Sequence, residues 1–316
     1  MNTKKIRVGI SSCLLGQKVR YDGGHKLDHY LRDTLGQYIE WVPVCPEVEC
    51  GLPVPREAMR LVGSPAAPRL MTSRTGRDLT EQMRSWAARR VLELEKEELC
   101  GFVFRTGSPS SGMRGVKVYN NSGVIKQGVG MFARQFMDHF PLVPVEDDGR
   151  LNDAALRENF IERLFVFKQW QDFLGSDGSI KGLVKFHTEH KLLIMAHNPR
   201  ALMLLGRFVA HARKYKRERL LRHYFAVLME ACKCQTSVKK NRNVLQHIMG
   251  YFKKDLSAAE KKELAEVITH YSNGFVPLIV PITLLRHYVK KYEQPYLITQ
   301  RYLEPHPMEL MLRNHV

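Results

Sequence analysis

Residues 6–16, IRVGISSCLLG, predict a buried β-strand that ends at small residues and a cysteine. The apolar run at 6–11 is short, which is typical of a strand in the interior of an α/β domain. Two further strand-like runs follow, WVPVC at 41–45 and LCGFVF at 99–104. The first half of the chain therefore contains at least three predicted strands.

A predicted helix separates the second of these strands from the third. Residues 78–99 place apolar side chains near helical period, and Asp78 and Glu81 have the spacing of a capping box. A weaker helix-start signal, GVGMFA, lies at 128–133. This order of strands and helices predicts an α/β N-terminal domain with an open, mostly parallel, Rossmann-like sheet.

Reactive or turn-forming side chains follow each predicted strand. Cys13 and Cys45 come at the ends of the first two strands, and the turn SPSSG at 108–112 follows the third. Ligands of open α/β sheets bind in the crevice beyond the carboxyl ends of the strands. We therefore expect the three loops to meet at one pocket.

The second half has a helical pattern nearly throughout. A polar, turn-rich run, EDDGRLND at 146–153, precedes it and divides the chain into domains at 1–148 and 149–316. The amphipathic pattern predicts an all-α C-terminal domain. Ser257 and Glu260 form a second capping-box pattern. The predicted helices lie at 156–174, 180–196, 199–216, 219–232, 240–252 and 257–271.

The chain is strongly basic, with 49 Lys and Arg against 32 Asp and Glu, a net charge of +17. Residues 1–150 hold 22 basic and 17 acidic side chains, a net +5, whereas residues 151–316 hold 27 and 15, a net +12. A polyanion such as nucleic acid is the natural partner of so basic a domain. The alternative is that the charge only keeps the protein soluble.

Membrane and secreted classes are disfavoured. No apolar run reaches the ~18 residues that a membrane span needs, and residues 1–5, MNTKK, precede only a short strand-like run rather than a secretory signal. We expect a cytoplasmic protein with no membrane partner, in which the six cysteines form no disulfide framework. The sequence does not indicate an oligomeric state.

Two loops carry more chemistry than plain connectors need. Residues 9–26, GISSCLLGQKVRYDGGHK, combine Cys13 with paired glycines that let the backbone approach a ligand closely. Residues 43–57, PVCPEVECGLPVPRE, contain four prolines, which stiffen the loop and hold Cys45 and Glu47 in fixed positions. Their residue patterns predict that both loops form parts of a preorganised site.

Taken together, the motifs SSCLLG, VRYDGGHK, VCPEV, GLPVPR and SPSSG resemble those of the thiouracil desulfidases, a TudS-like domain. The basic helical half resembles the YbgA-type domain of their two-domain relatives, among them the tRNA 4-thiouridine desulfidases called RudS. The resemblance covers essentially the full length. It implies an enzyme that replaces the sulfur of a thiolated pyrimidine with oxygen from water at a 4Fe–4S cluster.

The resemblance also implies that three protein side chains hold the cluster and leave one iron open. Cys13 and Cys45 match two ligand positions, and Ser111 stands where the family has its third cysteine. A hydroxyl is a harder ligand than a thiolate and loses its proton less readily. Four explanations of this serine are open. Ser111 binds iron through its oxygen, or Ser111 is an engineered replacement of a cysteine. Otherwise Cys50 or Cys100 takes its place, or the cluster is lost. We expect a weakened, labile or absent cluster in an otherwise retained pocket.

Catalytic roles follow from the same motif match. The resemblance implies that Glu47 is the general base for water and that Ser108 hydrogen-bonds the substrate or relays a proton. Ser12, Asp22 and His25, in the first loop, are our candidates for contacts with the substrate.

Two short segments concentrate the positive charge of the second half, ARKYKRERLLR at 212–222 and KKNRN at 239–243. Phosphate contacts from these segments would bind RNA in a salt-sensitive, sequence-independent way; the alternative is that they are solvated helix faces. The RNA-binding candidates are Arg213, Lys214, Lys216, Arg217, Lys239, Lys240 and Arg242.

We therefore predict a hydrolytic, iron–sulfur-dependent desulfidase of 4-thiouridine in tRNA. One alternative is a desulfidase of free thiouracil or of a thiouridine nucleotide. The other is an inactive RNA-binding or cluster-sensing homologue that lacks the third cluster cysteine.

Overall fold

The computed structural model describes residues 5–315, and the chain divides after Asp153 into two compact units. The first unit contains both strands and helices, and the second is helical. The α/β class of the first half and the all-α class of the second are thereby confirmed. The division follows residue 153, whereas the sequence analysis places it after residue 148.

The first unit alternates strands with helices and short turns. Its strands are β1 (Ile6–Ser11), β2 (Ile39–Val44), β3 (Met59–Ser64), β4 (Ala67–Thr72), β5 (Gly101–Phe104), β6 (Val116–Asn120), β7 (Gly123–Gly128) and β8 (Val145–Asp147). Its helices are α1 (Pro46–Glu49), α2 (Thr80–Glu95) and α3 (Met131–His139). Single turns of 3-10 or π type lie at Ser12–Leu15, Tyr30–Thr34, Leu35–Gln37 and Arg150–Asn152.

A parallel sheet in the order β2-β1-β5-β8 confirms the predicted sheet type. β1 pairs with β2 along its whole length, from Ile6 opposite Ile39 to Ser11 opposite Val44. Gly9 lies opposite Phe102 of β5, where an added Cβ would lie 2.2 Å from the phenyl ring. The glycine is therefore required for the close approach of these two strands.

A second sheet, in the order β4-β3-β6-β7, lies outside the prediction. The β3–β4 and β6–β7 pairs are antiparallel hairpins, and β3 runs parallel to β6. Leu61 and Val118 are buried, but most side chains of β7 are exposed. The sequence has a strand-like pattern at Val116, Val118 and Tyr119, which β6 confirms. Strands with one polar face lack the continuous apolar pattern of a buried parallel strand, which is why no second sheet was predicted.

Aromatic side chains join α2 and α3 to the parallel sheet. The rings of Phe102 and Phe104 stack at 4.3 Å, and the ring of Phe136, on α3, lies 4.8 Å from that of Phe102. Phe132, also on α3, meets the Trp86 ring of α2 at 5.3 Å. This buried cluster fixes the position of α3, whose first residues hold a loop of the site described below.

Helix α2 begins and ends inside the predicted span of 78–99. Asp78 accepts a hydrogen bond from the Thr80 amide at 2.9 Å, but the Glu81 carboxylate pairs with Arg84 rather than with the backbone. The predicted capping box is therefore wrong. The helix-start signal at 128–133 is confirmed by α3.

The acidic run that marks the predicted domain boundary begins inside the parallel sheet. Glu146 and Asp147 belong to β8, which pairs with β5, and both side chains are buried. Arg150 binds the Glu146 carboxylate at 2.7 Å and compensates its charge. A three-residue strand with two carboxylates has no apolar pattern, so the sequence indicated a loop.

The described part of the second unit consists of helices and short turns. The helices are α4 (Ala154–Ser176), α5 (Ile180–His197), α6 (Pro199–Ala210), α7 (Arg217–Lys233), α8 (Val238–Tyr251), α9 (Ala258–Ser272), α10 (Ile279–Lys291) and α11 (Pro295–Ile298). Single 3-10 turns lie at Ala212–Lys214, Arg301–Leu303 and Met308–Leu310. None of the described helices is both long enough and apolar enough to cross a membrane.

The helices α4 to α9 confirm the predicted helices, with shifts at their ends. The largest shift is at α6, which ends at Ala210 rather than at residue 216. The capping box of Ser257 and Glu260 is present at the start of α9. Helix α10 was not predicted. Its Pro281 lies in the first turn, where no intrahelical N–H bond is lost.

Candidate active site

The loops that follow β1, β2 and β5 meet at one cavity of about 340 Å³. These strands are neighbours in the parallel sheet. β2 lies on one side of β1 and β5 on the other, so the strand order reverses at β1. Open α/β sheets bind ligands beside such a reversal, outside the carboxyl ends of the strands. Cys13, Cys45 and Ser111 all line this cavity.

Cys13 and Cys45 are buried thiols at the starts of two turns. Cys13 lies in the 3-10 turn after β1, and Cys45 precedes α1 with Pro46 as the first helical residue. Burial, and secondly the Glu47 carboxylate, raises the pKa of Cys13 to about 11 and the pKa of Cys45 to about 12. Both thiols therefore keep their protons at neutral pH, and a metal must displace those protons to bind.

Ser111 presents a hydroxyl at the third position. The residue is buried, and its amide donates to Ser108 Oγ at 3.1 Å. Among residues 5–315, no group of three His, Cys, Asp or Glu side chains is placed to hold a metal ion. The cavity therefore offers two thiols and one hydroxyl.

The other two cysteines of the first unit do not supply the missing thiol. Cys50 donates its S–H to the Glu47 carbonyl at 3.2 Å and packs against the core. Cys100 is fully buried beside β5. Neither side chain lines the cavity.

Glu47 stands at the end of a chain of serine hydroxyls. Ser110 donates to Glu47 Oε1 at 2.5 Å, and Ser108 Oγ lies 2.9 Å from Ser110 Oγ. Since the Ser110 hydrogen points to the carboxylate, Ser110 accepts from Ser108. Ser108 also accepts the amides of Ser110 and Ser111, which closes the turn.

Ser110 is a residue that the sequence analysis missed. It is fully buried behind the cavity wall, whereas Ser108 lines the cavity. The Ser-Pro-Ser-Ser order predicts a turn closed by a serine side chain, but it does not show which serine faces Glu47. Ser108 therefore acts on Glu47 through Ser110.

The first residues of α3 hold this turn in place. Gly130 donates to the Gly112 carbonyl at 2.7 Å, and Phe132 donates to the Ser110 carbonyl at 2.9 Å. An added Cβ at Gly130 would lie 2.5 Å from the backbone of Ser110. Glycine at this position therefore lets the N-terminal end of α3 pack directly against the backbone of the turn.

Three guanidinium groups, from Arg20, Arg56 and Arg105, also line the cavity. Arg56 lies 3.8 Å from Glu47 and donates to the Val19 carbonyl at 3.0 Å. The sequence analysis did not assign them, because each comes from a different segment. Each of them lies beside a carboxylate: Arg20 beside Asp22, Arg56 beside Glu47 and Arg105 beside Asp148.

Two acidic residues, the last of β8 and the one that follows it, anchor the loop after β5. Asp148 binds Arg105 at 2.6 Å and accepts the Thr106 amide at 2.7 Å. Asp147 accepts the Thr106 hydroxyl at 2.7 Å. The run that the sequence indicated as a linker is therefore part of the support of the site.

The three predicted substrate contacts differ in position. Ser12 lines the cavity, but Asp22 and His25 are exposed and do not. Asp22 accepts the Gly24 amide at 3.0 Å, and His25 accepts the Leu27 amide at 3.2 Å. These two side chains shape their own loop, so we do not carry their substrate role forward.

Six of the seven RNA-binding candidates are exposed cations: Arg213, Lys214, Lys216, Arg217, Lys239 and Arg242. In the described part of the chain, none of the six forms an ion pair with a carboxylate. Lys240 differs, because its ammonium donates to the carbonyls of His197 (2.7 Å) and Gln235 (2.9 Å). It joins helix ends and is not free to bind phosphate.

Comparison with known proteins identifies both halves of the chain. Residues 8–148 match the family described as 2-thiouracil desulfurase, and residues 191–307 match a family described as a protein of unknown function (DUF1722). The uncharacterized protein YbgA of Escherichia coli (strain K12) is 29% identical over 166 residues, which are 52% of this chain and 98% of YbgA. The uncharacterized protein YbbK of Bacillus subtilis (strain 168) is 28% identical over 108 residues, 33% of this chain and 71% of YbbK.

A solved structure, the [4Fe-4S]-dependent thiouracil desulfidase TudS, is 31% identical to this chain. The similarity covers 48% of this chain and 97% of that one, with a TM-score of 0.40. The first unit is therefore similar to 2-thiouracil desulfurases over residues 8–148, and residues 191–307 of the second unit match the DUF1722 family.

Proposed function

We propose that the chain is a tRNA 4-thiouridine desulfidase. In the net reaction a thiocarbonyl and water become a carbonyl and hydrogen sulfide, so the reaction needs no electron donor. The observation that carries the proposal is the convergence of Cys13, Cys45 and Glu47 on one cavity of a thiouracil desulfidase fold.

The donor set fits an iron–sulfur cluster at two positions and departs from the usual thiolate at the third. Cys13 and Cys45 are the thiols that would hold the cluster, and Ser111 is the residue at the third position. When bound, such a cluster supplies a Lewis-acidic iron that polarises the thiocarbonyl and stabilises leaving sulfide. The TudS relative is described as [4Fe-4S]-dependent, which supports the same cofactor here.

Glu47 takes the proton of the attacking water in this proposal. Ser110 and Arg56 act on opposite oxygens of its carboxylate and hold it in one orientation. General bases held in this way contribute about 10²–10⁴-fold to a rate. Negative charge that develops on the substrate is stabilised by Arg20 and Arg105, which line the same cavity.

The basic second unit supports a polynucleotide substrate. Among residues 5–315, no carboxylate pairs with its exposed cations at 213–217, 239 and 242, so they are available to phosphate. A modified base must leave its stack to enter a cavity, at a cost of a few kcal/mol. Binding of the tRNA body by the second unit would offset that cost.

The test compares sulfide release from tRNA that contains 4-thiouridine with release from free thiouracil. The full chain is purified and reconstituted with iron and sulfide without oxygen. We expect a higher kcat/KM for tRNA and loss of both activities in Glu47→Gln. A kcat/KM for free thiouracil that equals or exceeds that for tRNA would refute tRNA as the substrate. Free thiouracil would then be the substrate.

A second candidate function, an inactive RNA-binding homologue, is favoured by one observation. Ser111 leaves the described residues without a third thiol at the cavity. Sulfide release that is absent in the wild type and present only in Ser111→Cys would establish this second function.

A further inference from the structure

A second cavity, of about 540 Å³, adjoins the first on the other sheet. The two cavities share Met59, Gly107 and Pro109 in their walls. The two cavities are therefore neighbours that share part of one wall. We call the second cavity the sheet groove, defined by Arg60, Lys117, Tyr119 and Lys126.

The sheet groove lies on the outer face of the second sheet. Side chains alternate between the two faces of a strand, and Leu61 and Val118 are buried on the inner face. Their neighbours Arg60, Lys117 and Tyr119 therefore face outward. The Arg60 guanidinium lies 5.3 Å from the centre of the Tyr119 ring. The groove thus combines cations with an aromatic surface.

The cations of the groove have no acidic partners. In the described range, no carboxylate forms an ion pair with Arg60, Lys117 or Lys126. All three side chains are exposed. Unpaired cations beside a substrate cavity attract the negative groups of a substrate.

Lys117 and Lys126 also stand directly opposite each other in the β6–β7 hairpin. Like charges at such positions destabilise a pair of strands. An anion bound between the two ammonium groups would turn this repulsion into attraction. The hairpin therefore has the charge arrangement of an anion site rather than that of a sheet optimised for stability.

We propose that the sheet groove binds the phosphodiester backbone of an RNA strand whose thiolated base occupies the first cavity. The proposal rests on the proposed function, because it names the substrate of the same site. Three exposed cations, Arg60, Lys117 and Lys126, line the groove, which favours a strand with several phosphates over a single phosphate. Tyr119 offers a surface for a neighbouring base to stack on.

The test uses the full chain with Lys117→Glu and Lys126→Glu. The matched control carries Arg89→Glu and Lys96→Glu on and beside α2, which make the same change in net charge and line neither cavity. The substrates are free 4-thiouracil, 4-thiouridine 5′-monophosphate and a short single-stranded RNA with one 4-thiouridine.

We expect kcat/KM for the RNA to fall at least about tenfold in the groove variant. The kcat/KM for free 4-thiouracil should not change. The slope of log affinity against log salt should fall by about 0.7 for each phosphate contact that is lost. The control variant should match the wild type. A loss confined to the monophosphate would assign the groove to free nucleotides and overturn the RNA proposal.

Binding of an unmodified RNA oligonucleotide, followed by fluorescence anisotropy, separates this proposal from the proposed function. If no variant releases sulfide but the groove variant alone loses RNA affinity, the groove stands and the desulfidase function fails. Lys117→Glu alone places opposite charges across the hairpin, so it should raise the melting temperature while it weakens RNA binding. Equal RNA affinity in the groove and control variants overturns the proposal.

Discussion

The hydroxyl of Ser110 donates a hydrogen bond of 2.5 Å to Glu47 and so joins the loop after β5 to the turn after β2. Ser108 lies on the cavity side of this link, with its Oγ 2.9 Å from that of Ser110. Ser110 itself is fully buried and does not line the cavity. Its role in the proposed reaction is therefore to position Glu47.

Ser110→Ala should reduce kcat about 10–100-fold with little change in KM. The reason is that a hydrogen bond to a charged group is worth about 1.5–3 kcal/mol, and the base loses its orientation without it. Steady-state kinetics on 4-thiouridine substrates measure the split between kcat and KM. Ser64→Ala, at an exposed residue of the same unit, is the control. A variant with unchanged kcat would show that Ser110 only closes the turn.

Ser111→Cys should raise the iron content towards about four irons per chain, because thiolate is the preferred ligand of cluster iron. Iron and acid-labile sulfide are measured after identical anaerobic reconstitution. Ser111→Ala tests the hydroxyl itself: iron content below the wild type indicates a serine ligand. Equal iron in all three proteins would mean that position 111 does not contact the cluster.

Glu162→Gln should destabilise the second unit by about 3–5 kcal/mol at neutral pH. Glu162 and His197 form a buried ion pair, Arg313 also binds Glu162, and removal of one partner leaves uncompensated buried charge. Urea unfolding measures the change. Glu266→Gln, in an exposed pair with Lys262, should cost less than about 1 kcal/mol. Similar losses in both variants would contradict a special role of the buried pair.

The same pair predicts how stability depends on pH. Glu162 and hydrogen bonding raise the pKa of His197 above 6.5 despite burial, so its stabilisation is full below 6.5 and is lost as pH rises through the raised pKa. His197 and Arg313 lower the pKa of Glu162 from 4.5 to about 2 against the opposing effect of burial. Its stabilisation is full above 4.5 and is lost as pH falls towards about 2.

The pair should therefore contribute most between pH 4.5 and 6.5. The difference in unfolding free energy between the wild type and Glu162→Gln, measured across pH, should be largest in that window. A difference that stays constant from pH 3 to 9 would contradict the assignment of these charges.

Charge reversal of Lys214, Lys239 and Arg242 should weaken tRNA binding and reduce its salt dependence, because each phosphate contact releases counterions. Filter binding at several salt concentrations measures both effects. The control is Lys181→Glu with Lys185→Glu, on α5. It shows whether loss of positive charge elsewhere in the second unit also weakens tRNA binding. Unchanged tRNA affinity after the reversal would remove the second unit from RNA recognition. Lys240 is left intact because its ammonium bonds to two carbonyls of the fold.

The sequence predicted the parts of the molecule whose residue pattern reflects burial. β1 is covered on both faces and reads as a continuous apolar run, and the loops after it and β2 carry distinctive cysteines. Because the carboxyl ends of neighbouring parallel strands share one edge, the meeting of Cys13, Cys45 and Ser111 followed from strand order.

The remainder of the site depends on contacts between distant segments, which local pattern does not show. Ser110 reaches Glu47 from the loop after β5, and Asp148, directly after β8, holds Arg105. Ser110 was missed because only the folded turn shows which serine faces Glu47. Asp22, a predicted substrate contact, does not line the cavity, and its carboxylate accepts an amide of its own loop.

The most direct test of the central claim is sulfide released per 4-thiouridine converted, measured with the reconstituted full chain under anaerobic conditions. The account predicts one sulfide for each base converted in the wild type, and none in Cys13→Ser, Cys45→Ser or Glu47→Gln. Conversion that persists in these three variants, or a wild type that binds iron and thiolated RNA but releases no sulfide, would contradict it.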